Sequence, residues 1–399
     1  LRYQLGDWKP YVYKTEDYGA SWTLINRGIP ADFPVRVVRE DPDREGILYA
    51  GTEYGLFISF DDGGHWQPLQ LNLPVTPITD IKIVRQDLIL STMGRGFWIL
   101  DRGPALLKRL SPELAGATPR LFAPAPTYRY RYRGRSAVPD YPAPRAVIDY
   151  YLPERPAEAI VLEILDHDDK IVRAFTSARP PADSSNRQEE PSMATGFSTP
   201  GFHADLKADA GHQRFAWDMR HPGPWNKNEQ RSGRGGPLAA PGDYRVRLRV
   251  DGQTFTQPLR LLIDPRVKTA GITTADLQAQ AQLLLQIVEL ESRAKQLAAA
   301  VQTERKALEE AGRSNNREAA RQDEQLARLE AQLVTAEGRY MQNMLIDQVR
   351  YLRGMLQGAD QRPGTDAAKR YETLRREFNT LVADWQKLKG NETEFRQLD

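Results

Sequence analysis

Alternating tyrosines and arginines occupy positions 128–133, and their chemistry is that of a ligand-binding surface. Aromatic rings stack on bases or sugars, and guanidinium groups bind phosphates and carboxylates. An extended chain would place the three tyrosines on one face and the three arginines on the other. The segment could therefore also be a connector that packs its tyrosines against a domain and exposes its arginines to solvent. The candidate binding residues are Tyr128, Arg129, Tyr130, Arg131, Tyr132 and Arg133.

Arg95 is a second candidate binding residue, because it lies between Gly94 and Gly96. Glycine permits backbone conformations that other residues avoid, so Arg95 could reach a carboxylate or phosphate ligand from an irregular loop. The same side chain could instead only donate hydrogen bonds to nearby carbonyl groups. The sequence leaves both interpretations open.

The other polar residues predict no catalytic centre, no metal site and no cofactor. The histidines show no ligand spacing such as H-E-x-x-H. Asp166, Asp168 and Asp169 could bind calcium, but they lack the glycine and distal glutamate of an EF-hand loop and predict a polar hairpin. The absence of cysteine excludes disulfides, thiolate chemistry and Cys-ligated zinc. The five histidines are His65, His167, His203, His212 and His221.

The composition is that of a soluble multidomain protein, with 40% hydrophobic and 27% charged residues in a chain of 399. Domains usually contain about 100–150 residues, so we expect three of them. A net charge of +2 gives no reason to expect a nucleic-acid partner. No apolar run approaches the roughly 18 residues that a membrane span needs, so none is predicted.

Two segments 44 residues apart match as [S/T]-x-D-x-G-x-x-W, namely Thr15–Trp22 (the first box) and Ser59–Trp66 (the second box). The same offset relates Ile29-Pro30 to Leu73-Pro74, so the whole unit repeats. A period of about 40–50 residues is that of a four-stranded propeller blade. The strands that follow the second box form a third unit without a box, at residues 81–84, 88–92 and 97–100.

The box residues are predicted to stabilise a hairpin turn. The aspartates are placed to accept backbone N–H groups, and the glycines permit a positive φ. The tryptophans enter the next strand, where each can bury about 150–250 Å² against neighbouring strands. These structural residues are Asp17, Gly19, Trp22, Asp61, Gly63 and Trp66.

On these motifs, residues 1–110 resemble the Asp-box (bacterial neuraminidase repeat) β-propellers, a group that includes sialidases and sortilin-type receptors. Residues 48–80 and 87–101 look like the closing blades of large bacterial proteins labelled sortilin-like or glycosyl hydrolase. One departure is His65, where the box usually carries Thr or Ser. The resemblance implies an incomplete propeller and an extracytoplasmic location. We expect further blades, and a signal peptide, in sequence upstream of Leu1, or blades from another chain.

The remaining chain predicts a connector and two further domains. Residues 111–144 form a connector rich in Pro, Arg and Tyr. Within residues 145–265, the segments 210–220 and 240–253 resemble immunoglobulin-like or fibronectin-like β-sandwiches.

Residues 266–399 predict an antiparallel three-helix bundle, so that the fold class is mainly β and then α. Thr273–Asp276 has the pattern of a capping box at the start of the first helix. Apolar seams run through residues 283–301 in the first helix, 326–356 in the second and 371–388 in the third.

The function that these features favour is a non-catalytic extracytoplasmic binding or scaffold protein. Its partner would be a protein or the remaining propeller blades, and the propeller could bind a glycan or peptide. The segment Phe33–Val38 lacks the Arg-Ile-Pro signature that sialidases carry before their first box. The alternative is the C-terminal part of a sialidase-like glycoside hydrolase whose catalytic residues lie upstream of Leu1. The helices could also dock the chain as a subunit of a larger complex.

Overall fold

A computed structural model describes residues 5–84, 87–101, 103, 118–131, 144–178, 206–226, 236–310, 317–338, 341–389 and 398. The chain divides into two compact units, residues 1–116 and 117–399. Sheets occupy the first unit and the beginning of the second, and long helices follow them. The predicted order, mainly β and then α, is therefore confirmed.

The first unit begins with a short antiparallel hairpin, β1 (Tyr13–Lys14) and β2 (Thr23–Leu24), which we call the outer hairpin. The middle sheet comes next and has four antiparallel strands in sequence order. Its strands are β3 (Val35–Glu40), β4 (Leu48–Thr52), β5 (Leu56–Ser59) and β6 (Trp66–Pro68). The third sheet consists of β7 (Ile78–Val84), β8 (Asp87–Thr92) and β9 (Phe97–Leu100).

The middle sheet is buried on both faces. Successive side chains of a strand point to opposite faces, so neighbouring residues of β4 enter different cores. Leu48 and Ala50 pack in a core with Val12 of the outer hairpin region. Tyr49 lies in a second core with Ile81 and other residues of the third sheet. The alternating side chains of β4 therefore pack against the repeat before the middle sheet on one face and against the repeat after it on the other.

The second unit contains a three-stranded and a five-stranded sheet that share one hydrophobic core. The first sheet has the order β10 (Arg120–Leu121), β12 (Ala146–Leu152), β15 (Gly211–Trp217). The second has the order β11 (Thr127–Arg129), β17 (Gln253–Ile263), β16 (Gly242–Val250), β13 (Val161–Leu165), β14 (Ile171–Thr176). Two strands thus come from the segment predicted as a connector, and β11 pairs in parallel with β17.

Five helices follow among the described residues, and the capping box at the start of the long first bundle helix is present. The Thr273 hydroxyl accepts the amide of Asp276 at 3.1 Å, and the Asp276 carboxylate accepts the amide of Thr273 at 3.0 Å. The helices are α1 (Pro265–Thr269), α2 (Thr274–Glu310), α3 (Arg317–Leu333), α4 (Leu345–Gln357) and α5 (Thr365–Lys389).

The number of bundle helices differs from the prediction, because α3 and α4 replace the predicted second helix. In the described part of this region, four long helices share one core, whereas three were predicted. The chain leaves the helical conformation after Leu333, where Thr335 accepts the amide of Met344 at 2.9 Å and Gly338 has a φ of 155°. The apolar spacing continues on both sides of this break, so the sequence pattern predicted one continuous helix. Tyr340, part of that seam, lies outside the described residues.

Candidate functional site

The first box forms a turn whose polar groups are satisfied by one another. The Thr15 hydroxyl donates to Asp17 Oδ1 at 2.9 Å and accepts the amide of Gly19 at 2.8 Å. Asp17 Oδ1 also accepts the amide of Ser21 at 2.8 Å. Gly19 has a φ of 96°, a conformation that favours glycine.

The second box repeats these hydrogen bonds. The Ser59 hydroxyl donates to Asp61 Oδ1 at 2.7 Å and accepts the amide of Gly63 at 2.9 Å. Asp61 Oδ1 accepts the amide of His65 at 2.8 Å, and Gly63 has a φ of 87°. Since only the backbone amide of His65 takes part, the departure from Thr or Ser at this position leaves the turn intact.

Hydrogen bonds keep both box carboxylates ionised. The hydroxyl and amide of Ser21 lower the pKa of Asp17 to about 2. Burial raises the pKa of Asp61, but the hydrogen bonds from the His65 amide and the Ser59 hydroxyl outweigh it and lower the pKa overall. A carboxylate with a lowered pKa that is engaged by its own turn is a poor general acid.

The two box tryptophans differ in burial although their turns match. Trp66 is 1% exposed, its indole donates to the Ile25 carbonyl at 2.7 Å, and its amide donates to the Arg27 carbonyl at 2.8 Å. Trp22 is 59% exposed, and its indole donates back to Gly19 of its own turn at 3.2 Å. The expected burial against neighbouring strands therefore occurs at Trp66 and not at Trp22 within the described part of the chain.

The tyrosine–arginine segment overlaps the end of β11, and two of its arginines bind the helical region. Arg129 is buried, and its guanidinium donates to Asp360 at 2.8 Å and to the Ala239 carbonyl at 3.1 Å. Arg131 donates to the same Asp360 oxygen at 2.7 Å and to the Gln357 carbonyl at the end of α4. Asp360 thus bridges two arginines, and we call this set the arginine clasp.

The clasp gives the arginines a partner inside the protein rather than solvent or ligand. Burial lowers the pKa of Arg129, and Asp360 opposes that shift. Arginine remains charged even so, and a buried charge is stable only when it is paired. Tyr128 and Tyr130 are half-buried, while Tyr132 and Arg133 lie outside the described residues.

Arg95 lies in an exposed turn between β8 and β9. Thr92 donates its hydroxyl to the Gly96 carbonyl at 2.7 Å and accepts the Arg95 amide at 3.2 Å. The middle sheet has the same kind of turn, in which the Thr52 hydroxyl donates to the Gly55 carbonyl at 2.9 Å. The glycines at this position therefore belong to a repeated turn, and anion binding by Arg95 stays a prediction.

Four ionisable groups with perturbed pKa values lie together in the second unit, and sequence reasoning missed them. Burial raises the pKa of Asp218, although Arg173 and Arg220 oppose it. Burial and Arg173 lower the pKa of His221 to about 4, so this imidazole is neutral at physiological pH. Met219 between them is buried with a φ of 56°. The sequence signal was an acid followed closely by two basic residues after β15, in Asp218-Met219-Arg220-His221.

The remaining candidate groups make local structure. Asp166 accepts the amides of Asp168 and Lys170 at 2.9 Å each, in the hairpin between β13 and β14. Among the described residues, no group of three or more His, Asp or Glu side chains is arranged to hold a metal ion. No helix in this described part is both long and apolar enough to cross a membrane.

Comparison with known proteins finds little similarity. No family model matches the sequence, and no curated protein matches it. Among solved structures, the chain is similar to the extracellular domain of a hybrid two-component system from B. thetaiotaomicron, at 12% identity and a TM-score of 0.21. The similarity covers 64% of this chain and 29% of that one. At this TM-score it carries no argument about fold or function.

Proposed function

We propose that this chain belongs to a non-catalytic extracytoplasmic binding or scaffold protein. In this proposal the first unit is a set of Asp-box propeller blades, and the second is an immunoglobulin-like or fibronectin-like sandwich followed by a helical bundle. Its partners are proteins or further blades, with a glycan or peptide as ligand of the propeller. The observation that carries the proposal is the pair of box turns, whose carboxylates are engaged by the fold.

Two buried carboxylates of the second unit, Glu291 and Glu163, are ion-paired. Glu291 is fully buried and lies 2.8 Å from the Lys295 ammonium and 2.7 Å from the Arg353 guanidinium. Glu163 of β13 lies 2.6 Å from Arg247. A glycosidase needs two carboxyl groups that face a substrate across an open site, about 5–9.5 Å apart. These ion-paired groups support a structural role instead.

The alternative proposal is that the chain is the C-terminal part of a sialidase-like glycoside hydrolase. Both proposals predict that the chain alone does not hydrolyse fluorogenic α-sialosides or β-glycosides. Turnover by the purified chain that is lost in Asp61→Asn would contradict the scaffold proposal. Turnover by a longer product of the same gene, but not by this chain, would favour the alternative.

A positive test of the scaffold function measures assembly in cells. A tagged form of the protein should be recovered from the extracytoplasmic fraction in a complex larger than its own 45.2 kDa mass. Recovery as a free monomer, or from the cytoplasm, would contradict the proposal. Cross-linking before cell lysis guards against dissociation of a weak complex.

A further inference from the structure

The second box shows what covers a box in this molecule. Residues Ile25–Ile29, which follow the outer hairpin, lie over Trp66 and accept hydrogen bonds from its indole and amide. The approach is close, because a Cβ at Gly28 would lie 2.2 Å from the Trp66 carbonyl oxygen. The cover of the second box is therefore the final segment of the preceding repeat.

The covering segment is itself a repeated element. Ile25–Pro30 corresponds to Leu69–Pro74 at the 44-residue offset, with apolar residues first and fifth and proline sixth. Both segments contain the same turn. The amide of Ile29 donates to Asn26, and the amide of Leu73 donates to Gln70. Each box is thus followed by such a segment, and the segment after the first box is the one that covers the second box.

The first box has the same turn and no such cover within the described residues. On the inner face of the outer hairpin, Val12 is buried and Lys14 pairs with Asp62 of the second box. On the outer face, Tyr13 pairs in register with Leu24, and both are exposed together with Trp22. This outer face is aromatic and apolar, and it includes Trp22, whose counterpart Trp66 is buried in the second box.

The third sheet has the corresponding exposure at the other end. Its turn at Thr92–Gly96 has the same threonine-to-glycine hydrogen bond as that at Thr52–Gly55 but is one residue longer. The residues that follow the glycine correspond, so Phe97 and Ile99 match Leu56 and Ile58. Leu56 and Ile58 are buried against the third sheet. Phe97 is 79% exposed, and Ile99 is exposed beside it. The third sheet thus has the residues that pack one sheet against the next, but no sheet among the described residues packs against them.

We propose that these two outer faces are repeat-to-repeat interfaces, and that each is covered by a further repeat of the same 44-residue kind. The repeat on the first box supplies a segment like Ile25–Pro30, which lies over Trp22 as Ile25–Ile29 lies over Trp66. The inference specifies the partner of the proposed scaffold protein and rests on that proposed function. Exposed apolar residues that lie together on one face are characteristic of interaction sites.

The test uses photo-cross-linking from equivalent positions of the two boxes. Ser21 and His65 occupy the same place, and the His65 ring lies 3.1 Å from the position of a Cβ on Gly28. Replacing His65 with p-benzoylphenylalanine should give a cross-link within the chain to residues 25–29. This variant is the control for reaction and for sequencing of the cross-linked peptide.

Replacing Ser21 in the same way, in protein made in its native cells, should cross-link a segment with apolar residues first and fifth and proline sixth. A probe at Phe97 should cross-link the inner face of another repeat. A cross-link from Ser21 to β7–β9 of a second copy would overturn the proposal, as would one to a protein without the repeat. Absence of a Ser21 product while the His65 control reacts would also overturn it. Enzymatic turnover by the chain would contradict the scaffold function but would not change the cross-links expected from these interfaces.

Discussion

The first and second boxes share the three hydrogen bonds that form their turns, but the tryptophans that end them lie in different environments. Trp66 is covered by the end of the preceding repeat, whereas Trp22 is exposed on the outer hairpin. The turn therefore depends on residues of its own box, while burial of the box tryptophan depends on a covering segment from the adjacent repeat. The same sequence motif forms the same turn in both places. Its contribution to the free energy of unfolding differs because the surroundings differ.

The largest difference is expected between Trp66→Ala and Trp22→Ala. Removing a buried aromatic side chain costs about 3–5 kcal/mol because it leaves a cavity. Trp22→Ala should cost less than about 1 kcal/mol in the isolated chain, since a mostly exposed side chain leaves none. Urea denaturation of the first-unit transition measures both values. Equal losses would show that Trp22 is buried in solution and would remove the difference between the boxes.

A similar difference is expected at the other end of the repeats, between Ile58→Ala and Ile99→Ala. Ile58 is 2% exposed and Ile99 is 59% exposed, although they correspond in sequence. Ile58→Ala should lower the free energy of unfolding by about 2–5 kcal/mol, and Ile99→Ala by well under about 1 kcal/mol. If Ile99→Ala also lowers dye binding to exposed apolar surface, the exposed face is confirmed in solution. A cost at Ile99 equal to that at Ile58 would contradict the assigned exposure.

Removing a box carboxylate should have a smaller effect. Asp61→Ala leaves the amide of His65 without its acceptor and the Ser59 hydroxyl without its partner. We expect a loss of about 1–3 kcal/mol, measured from thermal melts. Asp17→Ala should cost less, because the first box is exposed. An unchanged melting temperature for Asp61→Ala would exclude the stabilising role of this carboxylate.

The smallest expected effect is the pH dependence of the first box. The pKa of Asp17 is lowered to about 2 in the folded protein, below its value of about 3.9 in an unfolded chain. The stabilisation is therefore complete above about pH 4 and is lost as pH falls towards 2. The difference in stability between wild type and Asp17→Asn should shrink over this range. A difference that is constant between pH 5 and 2 would show that the pKa is not lowered.

Local features of this protein could be predicted from its sequence, and features that depend on distant residues could not. The box turns and the Thr273–Asp276 cap are formed by residues within four positions of each other. The buried state of Arg129 could not be inferred, because its partner Asp360 lies 231 residues away. Alternation suggested a face of solvated arginines, but the inward face of β11 carries Arg129.

The interruption between α3 and α4 shows a related limit. The apolar seam is continuous in spacing on both sides of residues 334–344, and helical periodicity alone does not detect a loop that preserves the seam. The cluster around Asp218 was missed for a different reason. Its members come from β14 and from the segment after β15, and only the packing of two sheets brings them together.

The arginine clasp also has a consequence for the order in which the protein folds during synthesis. In the described part of the first unit, each sheet pairs strands that are consecutive in sequence, so each can form as soon as its strands leave the ribosome. In the second unit, β11 must wait for β17, which begins at Gln253, and Arg129 must wait for Asp360. Long-range pairing of this kind slows folding and leaves partners unsatisfied in the meantime. The second unit therefore cannot complete its β11–β17 pair or the arginine clasp until residue 360 has been synthesised. Until then its unpaired strand edge is exposed to aggregation.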